Sequence, residues 1–245
     1  MAVITMGGLA GGGARSLGPI VAEKIGSDYV DRLILANVSR HVGATVEALH
    51  QREERPPTRG ERYSRILQRI LERSAVTGAG GDPYFGPGIP AYLTEEYEDV
   101  PQPIITRGHE LEDEKYFTAV HDVIHELANQ GNVVVVGRGA HIILKNDPNV
   151  LRVGVIASAE DRVRTLMSRE RLSQSDAEQC VVARDDAREH YFKNFFDIDT
   201  PDDPELYHMM VNTSSVSRDA AVDMVVQAAN ALVAGKFRRE AIATV

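Results

Sequence analysis

The sequence predicts a three-layer α/β fold, a parallel sheet flanked by helices. Three observations lead there. Short apolar runs recur along the chain, longer helical patterns separate them, and a glycine-rich turn directly follows the first run. Strands alternating with helices are the pattern of a parallel sheet buried on both faces.

The strands are expected at Ala2–Met6, Val133–Gly137, Val150–Ala157 and His208–Thr213, each short and rich in Val, Ile, Leu or Met. Helical periodicity covers 15–26, 32–50, 59–75, 112–130, 159–171, 173–195 and 215–234. The last of these places Val222, Val225, Val226, Ala229, Leu232 and Val233 on an apolar face and stops at Gly235. No strand is evident between residues 28 and 45. The 245 residues are read as a single domain, 1–245, with an insertion over 50–110. Within the insertion, 77–106 is rich in Pro, Gly and Tyr and too long for an ordinary connection. Ahead of it, Tyr63, Ile66, Leu67, Ile70 and Leu71 share a helical face that suits the core, a homodimer contact or an inserted substrate lobe.

Composition narrows the function classes. Net charge is −9, which disfavours a dedicated nucleic-acid binder. No apolar run is long enough to span a bilayer, and the N-terminus lacks a basic region followed by an apolar one, so a cytoplasmic protein without membrane partners is expected. Cys180 is the only cysteine, so neither a disulfide framework nor a cysteine-built metal site is available. His121 and His125 have helical metal-ligand spacing, but they lack H-E-x-x-H and a third ligand, and read as an exposed polar helix face.

The glycine turn carries the chemistry. Gly8-Leu9-Ala10-Gly11-Gly12-Gly13 reproduces the first six positions of the phosphate-binding pattern G-x-x-x-x-G-K-[ST], after which Ala14, Arg15 and Ser16 depart from it. A cradle of main-chain N–H groups at a helix N-terminus still suits a phosphate, and Arg15 can supply the cation that Ala14 does not. Gly7-x-x-x-Gly11-x-Gly13 also has the spacing of short-chain dehydrogenases, but no Tyr-x-x-x-Lys pair accompanies it. A loose structural turn is the third reading.

Later segments add a resemblance. GSDYVDRLIL (26–35), VVVVGRGAHIILKNDPNVLRVGVIASAEDRV (133–163) and the stretch from ARDDAREHYFKNFF to VNTS (183–214) follow the glycine loop in order. Together they resemble the cytidylate kinase-like family, relatives of the P-loop nucleoside monophosphate kinases. The resemblance covers the first ~35 residues and nearly all of 115–235. It implies a P-loop NTPase-like sheet and ATP with Mg²⁺ as donor. It further implies phosphotransfer to a nucleoside monophosphate or other small acceptor.

Carried over residue by residue, Gly8, Gly11, Gly12, Gly13, Ala14, Arg15 and Ser16 hold the donor phosphates, with Ser16 also on Mg²⁺. Arg138, after the second strand, grips the acceptor phosphate, and Asp31 lines the acceptor site. A lid-like helical segment over 169–200 brings Arg184, Asp185, Arg188 and Tyr191 to the substrate. The spacing of Arg184, Arg188 and Tyr191 places them on one helical face. Arg15, Arg138, Arg184 and Arg188 are the catalytic set, since phosphoryl transfer needs cations around the transferring group. Two departures stand out: His208 replaces a commonly acidic residue, and strand 133–137 does not end in a metal-binding aspartate. A nucleotide-binding or interaction protein without phosphotransfer is the alternative, followed by an NADP-dependent reductase.

Overall fold

The computed structural model describes residues 2–31 and 107–237. The expected helices at 32–50 and 59–75, the 77–106 segment and the tail beyond Phe237 lie outside the described residues. The chain divides into two compact units, one of residues 1–35 with 127–245, the other of 36–126.

The elements run β1 (Val3–Gly8), α1 (Ala14–Ile25), β2 (Asp28–Asp31), α2 (Arg107–Gln130), β3 (Val133–Val136), α3 (Ala140–Ile143), β4 (Val150–Ile156), α4 (Ala159–Glu170), α5 (Gln174–Phe196), β5 (Met209–Asn212) and α6 (Arg218–Val233). A short 3-10 turn, Pro204–Leu206, precedes β5. The five strands form one sheet in the order β2-β3-β1-β4-β5, and every neighbouring pair is parallel. Four strands and five helices therefore stand where periodicity put them, to within a few residues.

Two elements differ from expectation. β2 exists and pairs with β3, with Asp31 opposite Val136. Its sequence, DYVD, is too short and polar to show as an apolar run, and β3 completes it through main-chain hydrogen bonds. α3, a single turn, is too short for periodicity to register.

Apolar content explains the layering. β3 is four valines, all buried, which suits an inner strand covered on both faces. The core gathers Ile4 and Met6 of β1, Leu17 and Val21 of α1, Leu151, Val153 and Val155 of β4, and Val222 and Val225 of α6. Serine caps start the later helices: Ser158, Ser173 and Ser217 each accept a hydrogen bond from the backbone N–H three residues on.

The sheet order sets the place of function. From β1 the chain builds β2 and β3 on one side, then β4 and β5 on the other, so β1 lies at the switch point where ligands of open α/β sheets bind. The register brings Asp31, Val136 and Met6 level at the carboxyl edge, and pairs Gly8 with Val155. At Gly8, φ is +135°, and a Cβ would overlap the carbonyl oxygen of Val155. Replacing Gly8 by alanine should therefore destabilise the fold by about 3 kcal/mol or more, read by denaturant unfolding. A loss near zero would contradict this packing.

Candidate functional site

The turn between β1 and α1 is held from outside. The carbonyl of Ala10 accepts a 2.8 Å hydrogen bond from Arg162 Nε, and the carbonyl of Gly12 accepts one of 2.8 Å from Thr213 Oγ1. A trans peptide points its N–H opposite its C=O, so these two bonds turn the amides of Gly11 and Gly13 toward the inside of the loop. Gly12 N–H closes the turn onto the Leu9 carbonyl, and the N–H groups of Ser16 and Leu17 bond the Gly13 carbonyl to start α1. Gly13, the N-cap, has φ 107°, a conformation that favours glycine. The product is a concave row of N–H groups at the positive end of a helix, an anion cradle.

Arg15 lies in the first turn of α1 and pairs with Asp31 at 3.3 Å, with side-chain exposures of 25% and 10%. The acidic residue at the end of β2 is thus tied to the cation of the loop. Ser16 is in the same turn, partly buried. Among the described residues no group of three or more His, Cys, Asp or Glu could hold a metal ion. A Mg²⁺ ion fits here only with phosphate oxygens as its main ligands and the Ser16 hydroxyl as the protein's contribution.

The segment after β3 places Arg138. Gly137, Arg138 and Gly139 all have positive φ (91°, 51° and 70°), which swings the chain sharply between β3 and α3. Tyr191 of α5 donates a 3.3 Å hydrogen bond to the Arg138 carbonyl, and its ring centroid lies 6.0 Å from the Arg138 guanidinium. Tyr191, Phe192 and Phe196 form the aromatic face of α5 above this turn.

Each remaining arginine of the set meets a carboxylate. Arg184 forks onto Glu170 of α4 at 2.9 and 2.7 Å. Burial pushes the Glu170 carboxyl up, but hydrogen bonds and charge from Arg184 and Arg169 outweigh it and hold it below its usual value. Arg188 bonds Asp202 at 2.8 Å and lies 4.8 Å from the Phe192 ring centroid. Burial lifts the Asp202 carboxyl, a rise that Arg188 only partly offsets. Asp185 accepts two bonds from Arg162, at 2.6 and 2.7 Å.

The structure thus joins Arg15 to Asp31, Tyr191 to Arg138, and Asp185 to the glycine loop by way of Arg162. Arg184 is joined instead to the base of the α4–α5 hairpin. Arg162, Thr213, Glu170 and Asp202 are the residues that sequence reasoning passed over. Arg162 carried one signal: it precedes the buried Leu166 by one helical turn, so an arginine there faces the interior and needs a partner. His121 and His125, expected as a polar face, have ring centroids 4.5 Å apart; His121 is half-buried and His125 exposed.

Beneath Arg188 lies His141, 2% exposed, stacked on Tyr207 with ring centroids 4.6 Å apart. Burial, reinforced by the charges of Arg188 and Arg152, lowers its pKa to about 3, while burial raises the Tyr207 hydroxyl to about 12. The imidazole is therefore neutral in the folded protein. The unfolded chain takes up a proton near the ordinary histidine value of 6.5 that the folded chain refuses. Stability should accordingly fall as pH drops from 6.5 to about 5, with His141 contributing a slope approaching 1.4 kcal/mol per pH unit. His141→Phe should reduce the slope of a denaturation series by close to that amount. An unchanged slope would contradict the buried neutral placement.

A family model for the cytidylate kinase-like family matches residues 3–215. A search of curated proteins found no match. Among solved structures, an uncharacterized protein from Eubacterium ventriosum superposes with a TM-score of 0.60 at 15% identity, covering 94% of this chain and 99% of that one. A shikimate kinase from Acinetobacter baumannii, solved with shikimate, has a TM-score of 0.46 at 15% identity, covering 97% of this chain and 96% of that one. A gluconokinase from Sinorhizobium meliloti has the same TM-score and identity, with coverages of 96% and 97%. At 15% identity the first of these likenesses concerns the fold alone. The match along most of the chain settles the family: this protein belongs to the cytidylate kinase-like family.

Proposed function

We propose that the protein is an ATP-dependent phosphotransferase whose acceptor is a small phosphorylated molecule, a nucleoside monophosphate. The observation that carries this reading is the outward anchoring of the Ala10 and Gly12 carbonyls, which leaves the loop lined by N–H groups with Arg15 and Ser16 at its exit. Such a lining suits the β- and γ-phosphates of a nucleotide. Family membership supplies the expectation of phosphotransfer.

Roles follow from position. Gly8, Gly11–Gly13 and Ala14 bring main-chain groups to the donor phosphates, and Arg15 brings the positive charge a lysine supplies elsewhere. Its guanidinium is planar and forked, so Asp31 sets its direction in a way a point charge would not need. Mg²⁺, when bound with ATP, would neutralise phosphate charge, and Ser16 is the side chain that would meet it. Arg138 follows β3 immediately beside the β1 loop in the sheet and is suited to the acceptor phosphate. Arg184 and Arg188 would reach the transferring group by exchanging Glu170 and Asp202 for phosphate oxygens. Tyr191 reaches the acceptor site through Arg138, whereas Asp185 reaches the donor loop through Arg162.

A second reading, a nucleotide-binding protein without phosphotransfer, is favoured by Ala14 at the lysine position and by the engagement of Arg184 and Arg188 with carboxylates. The reductase reading has less support, because the carboxylate that would grip a ribose is paired with Arg15.

The experiment is a phosphotransfer assay with ATP–Mg²⁺ over a panel of nucleoside monophosphates, together with shikimate and gluconate. Turnover with a monophosphate is the expected result, and Arg15→Ala should lower it about a hundredfold or more, read at a temperature where circular dichroism shows the variant folded. Unchanged turnover in that variant would remove Arg15 from the mechanism. ATP binding with no acceptor turned over would favour the second reading.

A further inference from the structure

Arg162 serves two structures at once. Its Nε holds the Ala10 carbonyl of the glycine loop, and its Nη2 holds both carboxylate oxygens of Asp185 on α5. The side chain is 6% exposed, so the guanidinium has little water to fall back on if either partner leaves. A planar fork fixes the angle between its bonds, so Asp185 and the loop cannot shift independently while both bonds persist. Arg184 and Arg188, one turn apart on α5, are held by Glu170 and Asp202.

We propose that Arg162 is a positioning residue that couples the phosphate loop to α5, so that the state of the loop sets the position of the helix carrying Arg184 and Arg188. Asp185 acts in this through Arg162, as the anchor that aims the guanidinium at Ala10. The proposal rests on the reading above only in naming ATP as the ligand that orders the loop. Coupling of this kind is reciprocal: whatever stiffens the loop stiffens α5, and whatever frees α5 loosens the loop.

Amide hydrogen exchange tests it in the intact protein. Without nucleotide, Asp185→Asn should raise exchange at the α5 amides of residues 183–190 and also at Gly12, Ser16 and Leu17, each by about tenfold, the factor one charge-assisted hydrogen bond supports. Arg162→Lys, which keeps the charge and loses the fork, should do the same. Glu170→Ala cuts the Arg184 fork on the same helix and should loosen α5 alone. Loosening of α5 without the loop in Asp185→Asn would overturn the proposal, as would equal loosening of the loop in Glu170→Ala. With ATP–Mg²⁺, wild type should gain protection in both segments and Asp185→Asn in the loop alone. Failure of wild type to bind ATP would defeat the functional reading, while the nucleotide-free comparison would still decide the coupling.

Discussion

The carboxyl edge of this sheet depends on two peptide carbonyls being held outward. Ala10 and Gly12 point away from the loop interior because Arg162 and Thr213 donate to them, and the adjoining N–H groups have only the inside left to face. A glycine-rich segment is entropically expensive to order, and its own closing bond from Gly12 to Leu9 is too local to fix its direction. The two braces come from distant parts of the chain, from α4 and from the residue after β5. The anion cradle is therefore a product of the tertiary fold, and the glycines make it sterically accessible.

Charge pairing organises the rest. Arg162 with Asp185, Arg184 with Glu170 and Arg188 with Asp202 place three guanidinium groups along α4 and α5, each against one carboxylate. Half-buried pairs of this sort are no large source of stability, because desolvation offsets much of the attraction, yet losing one partner costs several kcal/mol. Their value lies in direction. Each carboxylate keeps its arginine at a defined place on the hairpin, and a phosphate group could take its place with like geometry. The opposite shifts of Glu170 and Asp202 fit this picture: two hydrogen-bonded arginines outweigh burial at the first, while at the second burial, helped by the charge of Asp185, outweighs Arg188 and Arg162.

Most of the fold was legible in the sequence because buried parallel strands are continuous apolar runs and the intervening helices are amphipathic. β3 and β4 announced themselves as VVVV and VLRVGVI. β2 did not, since an edge strand of four residues with a charge at each end has no apolar pattern to display. In the site, the glycine loop, Arg15 and Arg138 were legible as residues out of place in a plain turn. Their pairings were not: Asp31 was named for the acceptor site and not as the partner of Arg15, Arg162 drew no reading, and Thr213 stood only as the end of a strand. Partnership across 152 or 201 residues of chain is a property of topology, and no local spacing encodes it.

The most direct measurement is an amide NMR titration of the protein with ATP and Mg²⁺. The account predicts the largest shifts at the N–H groups of Gly11 and Gly13, which the braced carbonyls turn inward, and no comparable response to NADPH. Shifts centred away from the loop, or a stronger response to NADPH than to ATP, would contradict it.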